Sequence, residues 1–231
     1  MGVVTIHGYP LPEGKSGPQA ADSLCKTLEK LGGVKTGTFC VECETFFSSP
    51  NVGMSPTRAL HLFHDSDHPA SCFALLDTGT CLVSDSNFDG LLTNMSAFYQ
   101  SKKSTKIESR GPKYQVGDFT VKVGSAAIGP SFRGILIEVE YGPCVVPASC
   151  WELMKEFMGS FMSPPRDPHQ YLQGKMNDIF SPIDTVHQYS DHFNCLKKQV
   201  GSSAAFPSSF HQPASSALPN VSSHQTSASV K

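Results

Sequence analysis

Charge is scarce in this chain. Asp, Glu, Lys and Arg make up 16% of its 231 residues, and 18 basic against 20 acidic side chains leave a net charge of -2. No overall field drives such a molecule onto phosphate backbones or anionic lipid, which argues against direct nucleic-acid and membrane-surface binding. Long apolar runs are missing too: no stretch reaches the ~20 residues that a bilayer-spanning helix needs. Residues 1–10 show no basic segment followed by an apolar one, so no secretory signal is expected. Ile6 stands where a myristoylation signal carries Ser or Thr. No unit of about 20–50 residues repeats, which excludes solenoids and propellers. The eight cysteines, without an export signal, are expected to be reduced and packed as small hydrophobes. The Asn94-Met-Ser96 and Asn220-Val-Ser222 sequons then carry no glycan.

Core material is present. Apolar residues reach 39%, with 15 Phe and 6 Tyr, enough for one globular domain over residues 1–200. From Gly201 onward there are ten Ser, three Pro and one charged residue in 31 positions, so 201–231 is expected to be a disordered tail.

Periodicity predicts an α+β protein. Ser16-Gly-Pro-Gln19 is a capping box opening a helix whose Ala20, Leu24, Leu28 and Leu31 share one face, stopped by Gly32-Gly33. Short apolar or alternating runs predict strands at 3–6, 38–47, 59–63, 72–76, 81–83, 106–109, 118–128 and 133–141, with a further short run at 144–146. Asp77-Thr-Gly79-Thr marks a hairpin turn. Helices are predicted at about 88–100, from a second capping box at Ser149-Cys-Trp-Glu152 to Met162, and at about 182–199. The architecture this implies is an antiparallel β-barrel of eight or nine strands with flanking amphipathic helices.

Motifs with chemical potential are few. Gly14-Lys-Ser16 lacks the earlier glycine of a phosphate-binding loop, since position 9 is Tyr. Cys40-Val-Glu-Cys43 lies in a predicted strand, where i and i+3 project to opposite faces and cannot share a zinc. His61, His64 and His68 with Asp65 and Asp67 could in principle hold a metal, but His61 and His64 face opposite ways in the predicted strand and Asp65-Ser-Asp67 has turn composition, so a turn with solvated imidazoles is expected. The densest basic stretch, Ser101-Lys-Lys-Ser-Thr-Lys106, has no interleaved aromatics to stack bases.

The sharpest enzymatic signal is a pair of Glu-x-Glu elements, Glu42 with Glu44 and Glu138 with Glu140. In a closed barrel, period-two geometry could aim four carboxylates at a divalent metal, as in a tunnel-type triphosphate hydrolase. Against this, Ile135, Ile137, Val139 and Tyr141 form the unbroken apolar set of the later strand, which puts Glu138 and Glu140 on a solvated outer face. No catalytic residue, metal or cofactor is therefore assigned.

The last helix carries one apolar stripe of Ile183, Val186, Tyr189, Phe193, Leu196 and Val200, with Asp184, His187, Gln188, Asp191, Asn194 and Lys198 on the remaining surface. The stripe has two possible destinations: the chain's own barrel, or a partner reached across the irregular 163–180 linker. Ile183, Val186, Tyr189, Phe193 and Leu196 are the partner-interface candidates.

Several ordered strings are similar to those of one family: Glu13-Gly-Lys-Ser16, Gly37-Thr-Phe-Cys-Val-Glu-Cys-Glu-Thr45, Ser71-Cys-Phe-Ala-Leu75, Asn87-Phe-Asp89, Lys106-Ile-Glu108, Val121-Lys-Val-Gly124 and Val139-Glu-Tyr-Gly-Pro-Cys144. Across residues 1–199 the chain resembles the Mediator subunit 20 family. The resemblance implies a β-barrel in a heterodimer with the related subunit 18, tethered in the Mediator head module by the C-terminal helix of subunit 8. It further implies a non-catalytic coactivator component in the nucleus, linking regulators to the RNA polymerase II machinery through other head-module subunits. The resemblance also implies a barrel architecture shared with tunnel triphosphatases, which would explain Glu-x-Glu pairs without activity.

Overall fold

The computed structural model describes residues 2–49, 58–101 and 106–198. The predicted tail at 201–231, Val200 and most of the basic stretch lie outside the described residues. The elements, in chain order, are β1 (Val3–Tyr9), α1 (Gly17–Lys30), β2 (Val34–Ser48), β3 (Ala59–Asp65), β4 (Ser71–Leu76), β5 (Cys81–Asp85), α2 (Phe88–Asn94), β6 (Tyr99–Ser101), β7 (Ile107–Val116), β8 (Phe119–Ile128), β9 (Ser131–Tyr141), α3 (Pro147–Gly159), α4 (Gln170–Gln173) and α5 (Pro182–Lys198). The strands form one antiparallel nine-stranded sheet in the order β1-β9-β8-β7-β2-β3-β4-β5, with the short β6 also paired to β2.

The expected barrel does not close. β1 and β5 lie at the two ends of the sheet and do not pair with each other. α5 lies on the concave face, in contact with β1, β4 and β9. It also satisfies the edge of β1 that a neighbouring strand would have taken: the Ile6 N–H donates to Gln188 Oε1 at 3.0 Å, Gln188 Nε2 donates to the Val4 carbonyl at 3.1 Å, and His192 Nε2 meets the Ile6 carbonyl at 2.9 Å. A buried primary amide offers one acceptor and donors two bond lengths apart, so it can substitute for a strand at one register. α1, α2 and α3 cover the convex face, while α4 packs against α5 through Tyr171, which stacks on His187. Phe157 of α3 stacks on Phe119 of β8 at 3.9 Å, and Tyr114 of β7 reaches Glu29 of α1. Leu92 of α2 covers a smaller cluster with Phe46, Leu60, Leu62, Cys72 and Ala74.

One position in β8 tolerates no side chain. A Cβ on Gly124 would fall 2.1 Å from Ser109 Oγ and 2.9 Å from the Phe39 ring, so only glycine fits there.

Several element boundaries differ from the sequence reading. β7 runs on past Ser109 because Gly111-Pro112 interrupts only its ladder with β8, where pairing jumps from Arg110 to Lys113. A proline lacking its N–H weakens a central strand, yet here the β2 ladder holds the strand in place through Pro112. The helix expected at 88–100 stops at Asn94, and Tyr99–Ser101 pairs with Phe46–Ser48 instead. α3 begins at Pro147, so Ser149 lies inside it and forms no capping box. The run at 144–146 is no strand. At α1 the predicted box holds: Ser16 N–H donates to Gln19 Oε1 at 3.0 Å.

Candidate functional site

The two Glu-x-Glu pairs sit on opposite faces of the sheet. Odd-numbered residues of β2 (Phe39, Val41, Cys43, Thr45) point to the concave side, where Lys197 of α5 donates to Thr45 Oγ1. Glu42 and Glu44 therefore face outward, Glu42 paired with Lys106 at 2.7 Å and Glu44 bonded to Ser101. On β9 the parity is reversed: Tyr141 belongs to the convex face with Phe119, and Glu138 points inward to Tyr189 of α5. The four carboxylates cannot converge on one metal.

This corrects the expectation that Glu138 and Glu140 are solvated. Glu138 is 3% exposed, and its carboxylate accepts from Lys122 Nζ at 2.7 Å and from the Tyr189 hydroxyl at 2.6 Å. Glu140 is half-buried and accepts from the Gly2 N–H at 2.7 Å. The apolar set Ile135, Ile137, Val139 does face a core, but the one beneath α1 and α3 rather than the concave one. Lys122, itself 4% exposed, also reaches Asp67, which Lys113 holds from the other side, so two ammonium groups meet two carboxylates. Burial opposes the charge on Lys122, but Glu138, Asp65 and Asp67 outweigh it and its pKa is raised. Burial likewise works against the Asp67 carboxylate, yet the two lysines hold its pKa below the ordinary value. Tyr189 is driven well above its usual range, by burial first and by Glu138 second, and stays a neutral donor. The network is fully paired and links the β3–β4 turn, the sheet and α5. Its chemistry is structural.

The stripe of α5 is taken up by the chain's own concave face. Val186, Tyr189, Phe193 and Leu196 are buried, Ile183 is half-buried, and the Phe193 ring stacks on Phe63 at 6.2 Å. Of the two destinations, the structure takes the intramolecular one, so these side chains form no free surface. Two residues assigned to the polar side are also buried. Gln188 closes the β1 edge, and Asp184 accepts from the Ser181 N–H and hydroxyl and from Lys175. Gln188 and Lys122 escaped the sequence reading because single polar residues among apolar neighbours look like solvated positions. A lone Lys between Val121 and Val123 in a strand covered on both sides was the available signal.

A third polar group joins α5 to β1. His7 bonds Thr5 Oγ1 at 2.8 Å, His192 bonds the Ile6 carbonyl, and the His169 ring lies 5.4 Å from that of His192. Burial, with repulsion from His192 and His169, pushes His7 down to about 3; burial pushes His192 down to about 4 against the pull of the Ile6 carbonyl. Both side chains are protonated near pH 6.5 when unfolded and only near pH 3–4 when folded. The unfolded chain thus binds more protons across that window, and stability present above pH 6.5 drains away as pH falls. We expect a loss on the order of 2 kcal/mol per histidine between pH 7 and 5, read as a lower urea midpoint. His192→Asn, which keeps a donor for Ile6, should flatten the profile; an unchanged slope would show that these rings are solvated.

Of the remaining motifs, Cys43 is buried while Cys40 is half-exposed on the opposite face, as strand geometry requires. His68 pairs with Asp65 in the β3–β4 turn. His61 is more than a solvated turn residue: it bonds Thr45 Oγ1 at 3.1 Å, and burial lowers its pKa.

Comparison with known proteins gives a consistent answer. A family model described as the TATA-binding related factor (TRF) of subunit 20 of the Mediator complex matches residues 1–194. Mediator of RNA polymerase II transcription subunit 20 of Rattus norvegicus is 45% identical over 203 residues, covering 86% of this chain and 96% of that protein. The proteins of that name from Anopheles gambiae and Homo sapiens are 45% and 44% identical over 214 and 203 residues, covering 87% and 86% of this chain and 96% of each relative. Among solved structures, a Pyrococcus horikoshii OT3 protein is similar at a TM-score of 0.43 and 12% identity, covering 73% of this chain and 94% of that one, a distance at which likeness carries no functional information.

Proposed function

The chain belongs to the Mediator subunit 20 family, and on that premise we propose that it is a non-catalytic assembly subunit of RNA polymerase II transcription, working in the nucleus. The observation that carries this is identity of 42–45% across nearly the whole of relatives that all bear one name. Its mechanism is burial of surface against neighbouring subunits, which passes contact on to the polymerase machinery. The partners we propose are the related subunit 18 as heterodimer and the C-terminal helix of subunit 8 as tether.

The concave face is filled by α5, so assembly falls to the outside. Leu82 and Val83 are 52% and 56% exposed on the edge strand β5, and Leu91 and Phe98 are about half exposed nearby in sequence. An apolar edge strand without proline or lysine is material for an interface and a hazard in a free monomer. Purification of the tagged full chain from nuclear extract, followed by mass spectrometry, tests the reading. Subunits 18 and 8 should co-purify in near-equal amounts. Recovery of the chain without Mediator subunits would overturn it.

A further inference from the structure

On the convex face, residues from three adjacent strands line up in one row. Glu42 of β2 pairs directly with His64 of β3 on one side and with Glu108 of β7 on the other. Directly paired residues share a face, and so does Cys40, two positions before Glu42. The Cys40 thiol and one carboxylate oxygen each of Glu42 and Glu108 lie within 4.8 Å of one another, a trio that His64 flanks without joining. His64 lines, with Cys40 and Glu42, an adjoining cavity of about 220 Å³, and its imidazole has no hydrogen-bond partner among the described residues.

We infer that Cys40, Glu42, His64 and Glu108 form a binding site for a divalent transition-metal ion, zinc above others. Sulfur, imidazole nitrogen and carboxylate oxygen together are a borderline-soft set that suits zinc and does not suit calcium or magnesium. Zinc–ligand lengths of about 2.0–2.3 Å bring ligand atoms to within about 4 Å of each other, a closing that side-chain torsions on an exposed face supply.

Two like charges directly across a ladder repel each other. At present Lys106 offsets Glu42 at 2.7 Å and Arg110 offsets Glu108 at 3.4 Å, with side chains 45% and 71% exposed. Such solvated pairs hold weakly, and a divalent ion displaces them at little cost. Binding requires the Cys40 proton to leave to solvent as the sulfur coordinates. Burial and the two carboxylates keep that thiol protonated in the free protein, and the cation's charge reverses their influence. The site does not depend on the proposed function.

The test uses the full-length reduced chain. Cobalt(II) should produce a thiolate-to-metal charge-transfer band, and zinc should displace it with one equivalent. Cys40→Ser should abolish the band, and His64→Gln should weaken zinc binding by about 10-fold or more. Cys195→Ser, at an exposed thiol on α5, should change neither. Zinc should raise the melting temperature of the wild type but not of Cys40→Ser. No band, a band that survives Cys40→Ser, or zinc affinity indifferent to His64→Gln would each overturn the assignment.

Discussion

Phe193→Asp combined with Leu196→Asp is expected to abolish the cooperative fold of the isolated chain. Phe193 is 1% exposed and Leu196 fully buried, both on the face of α5 that fills the concave side of the sheet. Each apolar side chain contributes about 1.5–3 kcal/mol by burial, and each new carboxylate would have to be desolvated without a partner or expose the helix. A domain with about 5–15 kcal/mol in total cannot absorb both changes. Displacing α5 would also strip the β1 edge of Gln188 and His192, leaving Val4 and Ile6 backbone groups unpaired. Circular dichroism should show no sigmoidal thermal transition at neutral pH. A retained melting temperature would mean that the stripe is dispensable to this fold and free for a partner helix groove, contrary to the packing described above.

How far the sequence anticipates this arrangement depends on the number of covered faces. Strands with one wet face, such as β2 over Phe39–Thr45, alternate cleanly and can be read directly. β9 is buried on six consecutive residues, Gly134–Val139, because helices cover both sides of it. Alternation then loses its meaning, and the apolar set Ile135, Ile137, Val139 could not say which core it faced. The same ambiguity concealed the network around Lys122. Closure of the barrel was illegible for a different reason. Strand count and antiparallel hairpins suit a closed barrel, whereas the element that intervenes, α5, comes last in the chain and does so through Gln188, a residue type with no strand signature. The apolar stripe of α5 was legible at Val186, Tyr189, Phe193 and Leu196, whereas the burial of Gln188 and Ser190 beside it, and its destination, needed three dimensions.

The carboxylate pair once open to a catalytic reading gives the second large expectation. Glu138→Ala should destabilise the protein by about 3–5 kcal/mol, the usual cost of orphaning a buried charge. Lys122, 4% exposed, would keep Asp67 as its one direct counter-charge, and that carboxylate is shared with Lys113. The Tyr189 hydroxyl, fully enclosed on α5, would lose its acceptor at the same time. Glu140→Ala should cost far less, because Glu140 is half-buried and supports one backbone N–H of Gly2. Urea unfolding at pH 7 separates the two, and a cycle with Lys122→Met identifies the cause. If the penalty is the stranded ammonium, Glu138→Leu with Lys122→Met should recover most of the stability that Glu138→Ala loses, since a buried ion pair replaced by apolar groups of similar volume is often neutral. If both single changes and the double change are each within about 0.5 kcal/mol of wild type, as for surface substitutions, water reaches the cluster and the concave face is open. A penalty in Glu138→Ala that the double change relieves would fix α5 as the sheet's missing wall, held to β9 by Tyr189 through Glu138 and to the edge of β1 by the amide of Gln188, the neighbouring residue of the same helix.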